Sequence, residues 1–535
     1  MFMIPFVSFI VCYPLTRQVA GLQSSAIAII LLVTLIVATF KKHLNSDLLI
    51  ESLPYLAMPI ILFASINRKL EFSTDDAILC FSMFVATLII FSQKENHGKW
   101  LPRSMIICGN IHLVLQILGM ILGYEKLAIS TFFPLANEIT FFYMVTIFCS
   151  IFIYFKDPSI YWKKYSAAIG VLGFISIIVG ESIHTKKFEI GQEHALGIWL
   201  GLGCGILFVI ALFLGKKLNL PKKLIISLSA LIFLTIISVP ITAVNFNISP
   251  SPMSEATTRL ANWQAGLNIV KYNPFGVGFG AYGANVMQHW PTIEESPWKG
   301  SVTVVFIAAH SQYLQILAEI GWLGWLYYCT LFAIPWFVSI FRYLKTGEPR
   351  FLCIAGTLAT MLSVMTVTEA ISMFAFIQII HWMFLIYCVK ALLPLRDKDV
   401  RVKMLPFRNV FLIISIPLLA FLLYDRGKQL YSMYLTFNSK APFTQLLEIH
   451  PKNSPALGQA WLYHAEHRNF QEALKTIDKI EEMAGYLWHV NQARAETYYV
   501  MGDLKKACEA AKFPITHYAD MWTQSLKQIL KCENR

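Results

Sequence analysis

The sequence predicts an all-α polytopic membrane protein of about 12–13 transmembrane helices, with one large outer loop and a helical domain after the last span. Three observations predict it. Apolar residues make up 56% of the 535, charged residues only 14%, and mean hydropathy is +0.56, whereas soluble domains carry about 25% charged residues. Apolar runs long enough to cross a bilayer, about 20 residues each, recur from the first residue onward. Lys and Arg are divided unevenly between the connections that join those runs, which is the mark of membrane sidedness.

Spans are expected near residues 2–15, 22–40, 48–66, 76–92, 104–122, 137–155, 165–181, 194–214, 224–244, 322–341, 351–368, 372–390 and 409–424. The first run, MFMIPFVSFIVCYPL, lacks a charged leading region and a small-residue cleavage site, so it reads as an uncleaved span. One alternate set of connections holds 21 Lys and Arg, and the other holds 9 although it includes the large loop. Positive charge marks the cytoplasmic side. The N-terminus is therefore expected inside, with the large loop and the C-terminal domain in the periplasm of a bacterial inner membrane. The net charge of +12 is spent on this asymmetry and calls for no nucleic acid. Four regions follow: 1–244, N-terminal helices; 245–321, the large periplasmic loop; 322–424, C-terminal helices; 425–535, a polar helical domain.

In the last region NFQEALKTIDKI and DLKKACEAAKF align at an offset of 34 residues. That is the tetratricopeptide period, in which small residues let paired helices pack closely; two helical hairpins of another kind fit equally well. Eight of the ten cysteines fall in apolar spans, where a thiol behaves as a small hydrophobe. Cys508 and Cys532 lie in the tail, and on the oxidising side a disulfide between them is open to them.

The polar interruption at residues 245–309 is 65 residues long and rich in aromatics and glycines. Loops beyond about 12–15 residues are uncommon and usually functional or disordered; this composition points to a folded, functional one. His310 stands at its membrane edge, ahead of the helical run YLQILAEIGWLG. An imidazole there can take up a proton near neutral pH, or it can sit as a plain interfacial side chain. Gln315 and Glu319 are four apart and share one helix face with Ser311. Arg259 opens a second helical run, RLANWQAGLNIV, and a guanidinium grips phosphate with a planar fork.

The segment GVGFGAYG contains a GxGxxG at Gly278, Gly280 and Gly283. No buried strand precedes it and no βαβ unit fits, so a dinucleotide site is excluded. The glycines read instead as tight turns and close backbone approach. Trp263, Tyr272, Phe275, Phe279, Tyr282, Trp290 and Trp298 crowd this loop. They are suited to stacking on sugar rings and equally to a membrane interface. Glu138, Glu181, Glu319 and Glu369 fall in or at the edge of spans, where an unpaired charge is costly. Sequence patterning supplies no metal or nucleotide cofactor site.

Taken together, Arg259-Leu-Ala-Asn-Trp263, NPFGVGFGAYG, His310-Ser-Gln-Tyr-Leu-Gln315 and Glu319-Ile-Gly321 resemble the O-antigen ligase/polymerase and pilin O-oligosaccharyltransferase superfamily over residues 259–324. The resemblance implies a metal-independent glycan transfer from an undecaprenyl-pyrophosphate oligosaccharide. It makes His310 the group that orients or deprotonates the acceptor hydroxyl and Arg259 the holder of the departing pyrophosphate. Trp263, Tyr282, Gln315 and Glu319 become candidates for substrate binding. The pattern departs at Ser311, where Asn is usual. It departs again at ESIHTKKFE, where Lys186 or Lys187 stands in for a second arginine, and Pro134-Leu-Ala-Asn137 only hints at an Asn-rich signature. The helical tail points among members to the protein O-oligosaccharyltransferases, with Ser or Thr of a pilin-like protein as acceptor. The alternatives are a ligase acting on lipid A core or an O-antigen polymerase. A flippase or other transporter explains the spans but not a folded loop ending in His310, and the halves show no strong inverted repeat of broken helices.

Overall fold

The structure, a computed structural model, describes residues 22–40, 47–67, 69–70, 73–93, 100–121, 146–155, 157, 159–188, 196–246, 255–291, 308–367, 375–393, 401–403, 405–438, 441–484 and 488–517. It is an all-α membrane protein. The first half comprises α1 (Leu22–Phe40), α2 (Leu53–Ser65), α3 (Ser73–Ser92), α4 (Trp100–Ile121), α5 (Thr146–Phe155), α6 (Ile160–Phe188), α7 (Leu196–Lys217) and α8 (Lys222–Asn245). The loop carries α9 (Glu255–Tyr272) and α10 (Tyr282–Val286); then come α11 (Gln312–Thr346), α12 (Pro349–Val367), α13 (Ala375–Leu392) and α14 (Leu405–Asn438). The tail is α15 (Phe443–Ile449), α16 (Ser454–Glu466), α17 (Phe470–Ala484), α18 (Trp488–Val500) and α19 (Leu504–His517). One short antiparallel pair, Asp47–Leu49 with Arg401–Lys403, is the sole strand pairing among the described residues.

The first expected span lies outside the described residues; the described residues of each of the others are mostly or wholly helical, those of 137–155 being Thr146–Phe155 and those of 372–390 beginning at Ala375. Among these, α3, α8, α11 and residues Pro349–Thr366 of α12 are each long and apolar enough to cross a membrane. Exposed Leu231, Ile413 and Phe421 stud the helix surfaces, as lipid-facing positions require.

The chain divides into two compact units. The first comprises Met1–Ile61, Ile78–Val239 and Leu326–Pro417. Helices cannot gain hydrophobic free energy from each other inside lipid, so close packing and hydrogen bonds must hold them. Gly201 and Gly205, one turn apart on α7, supply that closeness. A Cβ on Gly201 would stand 2.5 Å from Cγ2 of Val364, and one on Gly205 1.8 Å from Oγ1 of Thr360, both on α12. Trp336 is fully buried against the rings of Phe208 and Phe233, 5.1 and 5.4 Å away between centroids. Trp382 donates its indole N–H to the Thr87 hydroxyl at 2.9 Å, sparing a polar atom from hydrocarbon.

The second unit comprises Leu62–Ala77, Pro240–Trp325 and Leu418–Arg535. In its tail, α16 and α17 form one helical hairpin, α18 and α19 another. Corresponding helices begin 34 residues apart, Ser454 with Trp488 and Phe470 with Leu504. The backbone echoes the period: Arg468 and Gly502 both turn with positive φ, and Ala473 and Ala507 are both fully buried. Cys508 is engaged in a disulfide, and Cys532 lies outside the described residues. The second half of α14, which leads into the tail, is tied to the start of α3 by an ion pair between buried Arg426 and half-buried Asp75 at 2.8 Å, and by the Thr74 hydroxyl donating to Asp425 at 2.6 Å. Removing one partner of such a pair costs about 3–5 kcal/mol, whereas the exposed Lys69–Glu482 pair contributes little.

Beside this tie, His450 is buried. Burial pushes its imidazole down to about 4, with the cations Lys452, Arg426 and Lys428 adding to the effect and Asp425 opposing it. The folded state thus favours the neutral ring. Its contribution is complete above the ordinary value of 6.5 and is lost as pH falls from there through 4. We expect thermal stability to drop by on the order of 1–3 kcal/mol across that window. His450→Gln should flatten the drop, measured by unfolding temperature of the purified protein between pH 7 and pH 4; an unchanged slope in the variant would remove His450 as its source.

Candidate active site

The site is assembled around the turn that precedes α11. His310 is fully buried and adopts φ 51°, a left-handed conformation uncommon for a residue with a Cβ. Such a conformation persists only where its surroundings over-determine it, and here the Ala308–Ala309 peptide just before it is clamped at both its carbonyl and its amide. On one side the Asn262 side-chain amide donates to the Ala308 carbonyl at 2.5 Å. On the other, the Ala309 amide donates to Oε1 of Gln315 at 3.3 Å. Ser311 follows, and its hydroxyl accepts from the Leu314 amide at 3.4 Å, capping the start of α11. Ser and Asn are equally good helix caps, so Ser at this position keeps the local chemistry that Asn would supply.

A chain of buried polar groups supports the two clamps. The Gln315 amide donates to Oε1 of Glu319 at 3.1 Å, one turn along α11. The same oxygen accepts from the Tyr282 backbone amide at 3.3 Å, and the Gly280 amide also donates to this carboxylate. The Tyr282 hydroxyl lies 2.9 Å from both the carbonyl and the side-chain oxygen of Asn262, to which it donates. Burial, with the Glu319 carboxylate close by, holds that hydroxyl protonated well above its ordinary range, so it stays a donor. The two clamps are therefore one network, running from Asn262 through Tyr282 to Glu319 and Gln315.

The glycine-rich loop is what brings Tyr282 there. At Gly321 α11 breaks, with φ 70° and ψ −175°, which frees carbonyls just before the break. Loop amides take them: Val277 donates to Ala318 at 3.0 Å and Gly278 to Glu319 at 2.8 Å, while Trp322 donates back to Pro274 at 3.2 Å. Asp76 rests against Gly280, its Oδ2 2.0 Å from where a Cβ would stand, so two carboxylates flank that one glycine.

Arg259 lies half-buried on α9, one helical turn before Asn262. The arginine thus shares a helix with the side chain that holds the peptide two residues before His310. Of the other sequence candidates, Trp263, Tyr282, Gln315 and Glu319 are all buried, and the last three spend polar atoms on one another and on backbone. Lys186 and Lys187 fall in the last turn of α6, their side chains outside the described residues, as is that of Glu181. Pro134, Asn137, Glu138, Trp298 and Glu369 also lie outside them. Phe279 and Trp290 are buried; Tyr272 and Phe275 are exposed. Asn262 and Asp76 were not singled out by sequence. Asn262 stood inside the RLANW motif, and its polarity on an otherwise apolar helix turn was the available signal.

Residues 194–329 match the O-antigen ligase family. The match runs from α7 through α9, the glycine loop and the His310 turn into α11, and so contains the whole network except Asp76. The chain carries an O-antigen ligase domain. This part of the chain is similar to O-antigen ligases, and the match supports an O-antigen ligase-type glycosyltransferase family. Lys186, Lys187 and the tail fall outside the ligase domain. No curated protein matches the chain.

Proposed function

We propose that this protein is an oligosaccharyltransferase of the bacterial inner membrane. It moves a glycan from an undecaprenyl-pyrophosphate carrier to a Ser or Thr hydroxyl of a periplasmic, pilin-like protein. The observation that carries the reading is the double clamp on the Ala308–Ala309 peptide that leads into His310, one arm of which comes from the helix of Arg259, all inside the ligase domain.

In this reaction the bond between the sugar's anomeric carbon and the pyrophosphate oxygen breaks, and a bond to the acceptor oxygen forms. The acceptor proton passes to His310, and the pyrophosphate leaves with its charge held by Arg259. Pyrophosphate is already a good leaving group, so positioning and cationic stabilisation supply much of the rate. Burial of His310 serves the choice of product: a site that admits water hydrolyses its donor, and a closed one keeps the acceptor hydroxyl as the only nucleophile. Lys186 or Lys187 provides a second phosphate contact, and Trp263 backs the same helix.

The Lys and Arg asymmetry and the disulfide at Cys508 both support an outward-facing, oxidising location for loop and tail. The 34-residue hairpin period supports a tetratricopeptide-like tail, a scaffold whose concave face suits a protein acceptor. Purified enzyme incubated with lipid-linked oligosaccharide and either pilin or lipid A core, read by mass spectrometry, tests the assignment. Glycosylated pilin is the expected product. Glycosylated lipid A core, or glycan lengthened on its carrier, would replace the acceptor by that of a ligase or a polymerase.

Arg259→Lys tests the leaving-group role. A point charge cannot reproduce the bidentate fork, and losing one such contact costs about 10²-fold in kcat. Wild-type turnover in this variant would take the pyrophosphate away from Arg259.

A further inference from the structure

The first unit contains a recess that the transfer reaction does not use. It has a volume of about 880 Å³ and lies between α8, the end of α11, the start of α12 and the end of α13. Its wall is apolar, with Ile226, Phe337 and Phe341 among the lining side chains. Its rim is cationic: Arg342, Lys345 and Arg350 against the single carboxylate Glu348. We propose that this recess binds an anionic phospholipid, with the phosphate at the arginines and an acyl chain along the phenylalanines. The proposal stands apart from the glycosyl-transfer reading.

Three observations carry it. The first is size and amphipathy: the volume falls in the range of small-molecule sites, about 300–1,000 Å³, and one wall suits hydrocarbon while the other suits phosphate. The second is preorganisation of the cations. The Arg350 and Arg342 guanidinium carbons stand 4.4 and 5.6 Å from the centroid of the Phe351 ring, so one aromatic ring orients both forks. The turn between them is fixed: the Thr346 hydroxyl donates to the Arg342 carbonyl at 2.9 Å and accepts from the Glu348 amide at 3.2 Å. From α7, Lys216 donates to the Tyr343 carbonyl at 2.7 Å, bringing a further cation to the same turn.

The third is charge complementarity with the leaflet. The recess sits in the connection at residues 342–350, which the Lys and Arg bias assigns to the cytoplasmic side, where the leaflet is anionic. Glu348 meets Arg350 at 2.5 Å and offsets one cation of three, so the rim remains positive. Phe341 is 54% exposed at the mouth, an apolar surface that an acyl chain would cover.

The test is native mass spectrometry of the full chain in detergent, titrated with phosphatidylglycerol or with phosphatidylcholine. At least 5-fold greater retention of phosphatidylglycerol is expected. The preference should vanish in the double variant Arg342→Ala/Arg350→Ala. It should weaken in Lys345→Glu, whose exposed side chain is not needed for folding, and persist in Lys222→Ala/Lys223→Ala, which removes cations outside the recess. Equal retention of both lipids, an equal loss in the Lys222/Lys223 variant, or displacement of phosphatidylglycerol by inorganic phosphate alone would each overturn the assignment.

Discussion

His310→Asn is expected to lower kcat for glycan transfer by about 10²–10⁴, the span that a positioned general base contributes. Asn is the informative replacement because it tolerates a left-handed backbone far better than other side chains with a Cβ. The turn at φ 51° is thereby kept while the base is lost. A thermal transition within a degree or two of wild type would show that the fold has survived. Near-normal turnover in a folded His310→Asn protein would dismiss the imidazole from the chemistry. The network predicts a companion effect. Asn262→Ala and Gln315→Ala leave the imidazole present but each release one end of the Ala308–Ala309 peptide that precedes it. Their loss should fall on kcat with KM nearly unchanged, because what degrades is the alignment of the base, not ground-state binding. Gln315→Glu, which keeps an acceptor for the Ala309 amide, should recover part of it. A rise in KM alone would mark Gln315 as a substrate contact.

How much of this was legible beforehand depends on the length scale of the interaction. The spans were legible because each is decided by about 20 consecutive side chains in a uniform solvent; Leu22–Phe40 is helical throughout its expected run. The period of 34 in the tail was legible for a related reason, since each hairpin repeats its own short-range contacts. The glycine loop was half legible. Its density of glycines signalled close backbone approach, yet nothing in NPFGVGFGAYG says that the surface approached is the break in α11. Asn262 illustrates the remainder. It acts on a carbonyl 46 residues away, and a backbone carbonyl leaves no trace in the sequence. The same holds for Arg426 and Asp75: each charge is visible, but the pairing is set by the tertiary fold. Gln315 and Glu319 were visible as a shared helix face, and only the structure shows that face turned inward onto the protein's own peptides.

Gly276→Ala should cost as much as a core truncation, although it adds only a methyl group. At this position φ is 86°, and an added Cβ would stand 2.3 Å from the Glu319 carbonyl oxygen and 2.6 Å from the Gly321 nitrogen. Both obstacles are backbone, so relief requires one chain segment to move away from the other. The strained conformation alone costs about 1–2 kcal/mol. Separation would also break the bonds from Val277 to Ala318 and Gly278 to Glu319, each contributing about 0.5–1.5 kcal/mol, giving about 2–5 kcal/mol in all. Gly321→Ala meets the same barrier from the opposite side, 2.5 Å from the Phe275 carbonyl carbon. The two substitutions attack one contact, so the double variant should fall well short of the sum of the singles. Transfer should fail along with stability, because displacing the loop withdraws the Gly280 and Tyr282 amides from Glu319, and with them the support for Gln315 and the His310 turn. The control is Gly458→Ala, in the interior of α16 with nothing within 4 Å of its would-be Cβ, where alanine should be neutral or stabilising by up to about 1 kcal/mol. If Gly276→Ala unfolded at the same temperature as Gly458→Ala and transferred glycan as fast, the loop would not be seated on the break in α11, and the route from the glycines to His310 would be lost with it.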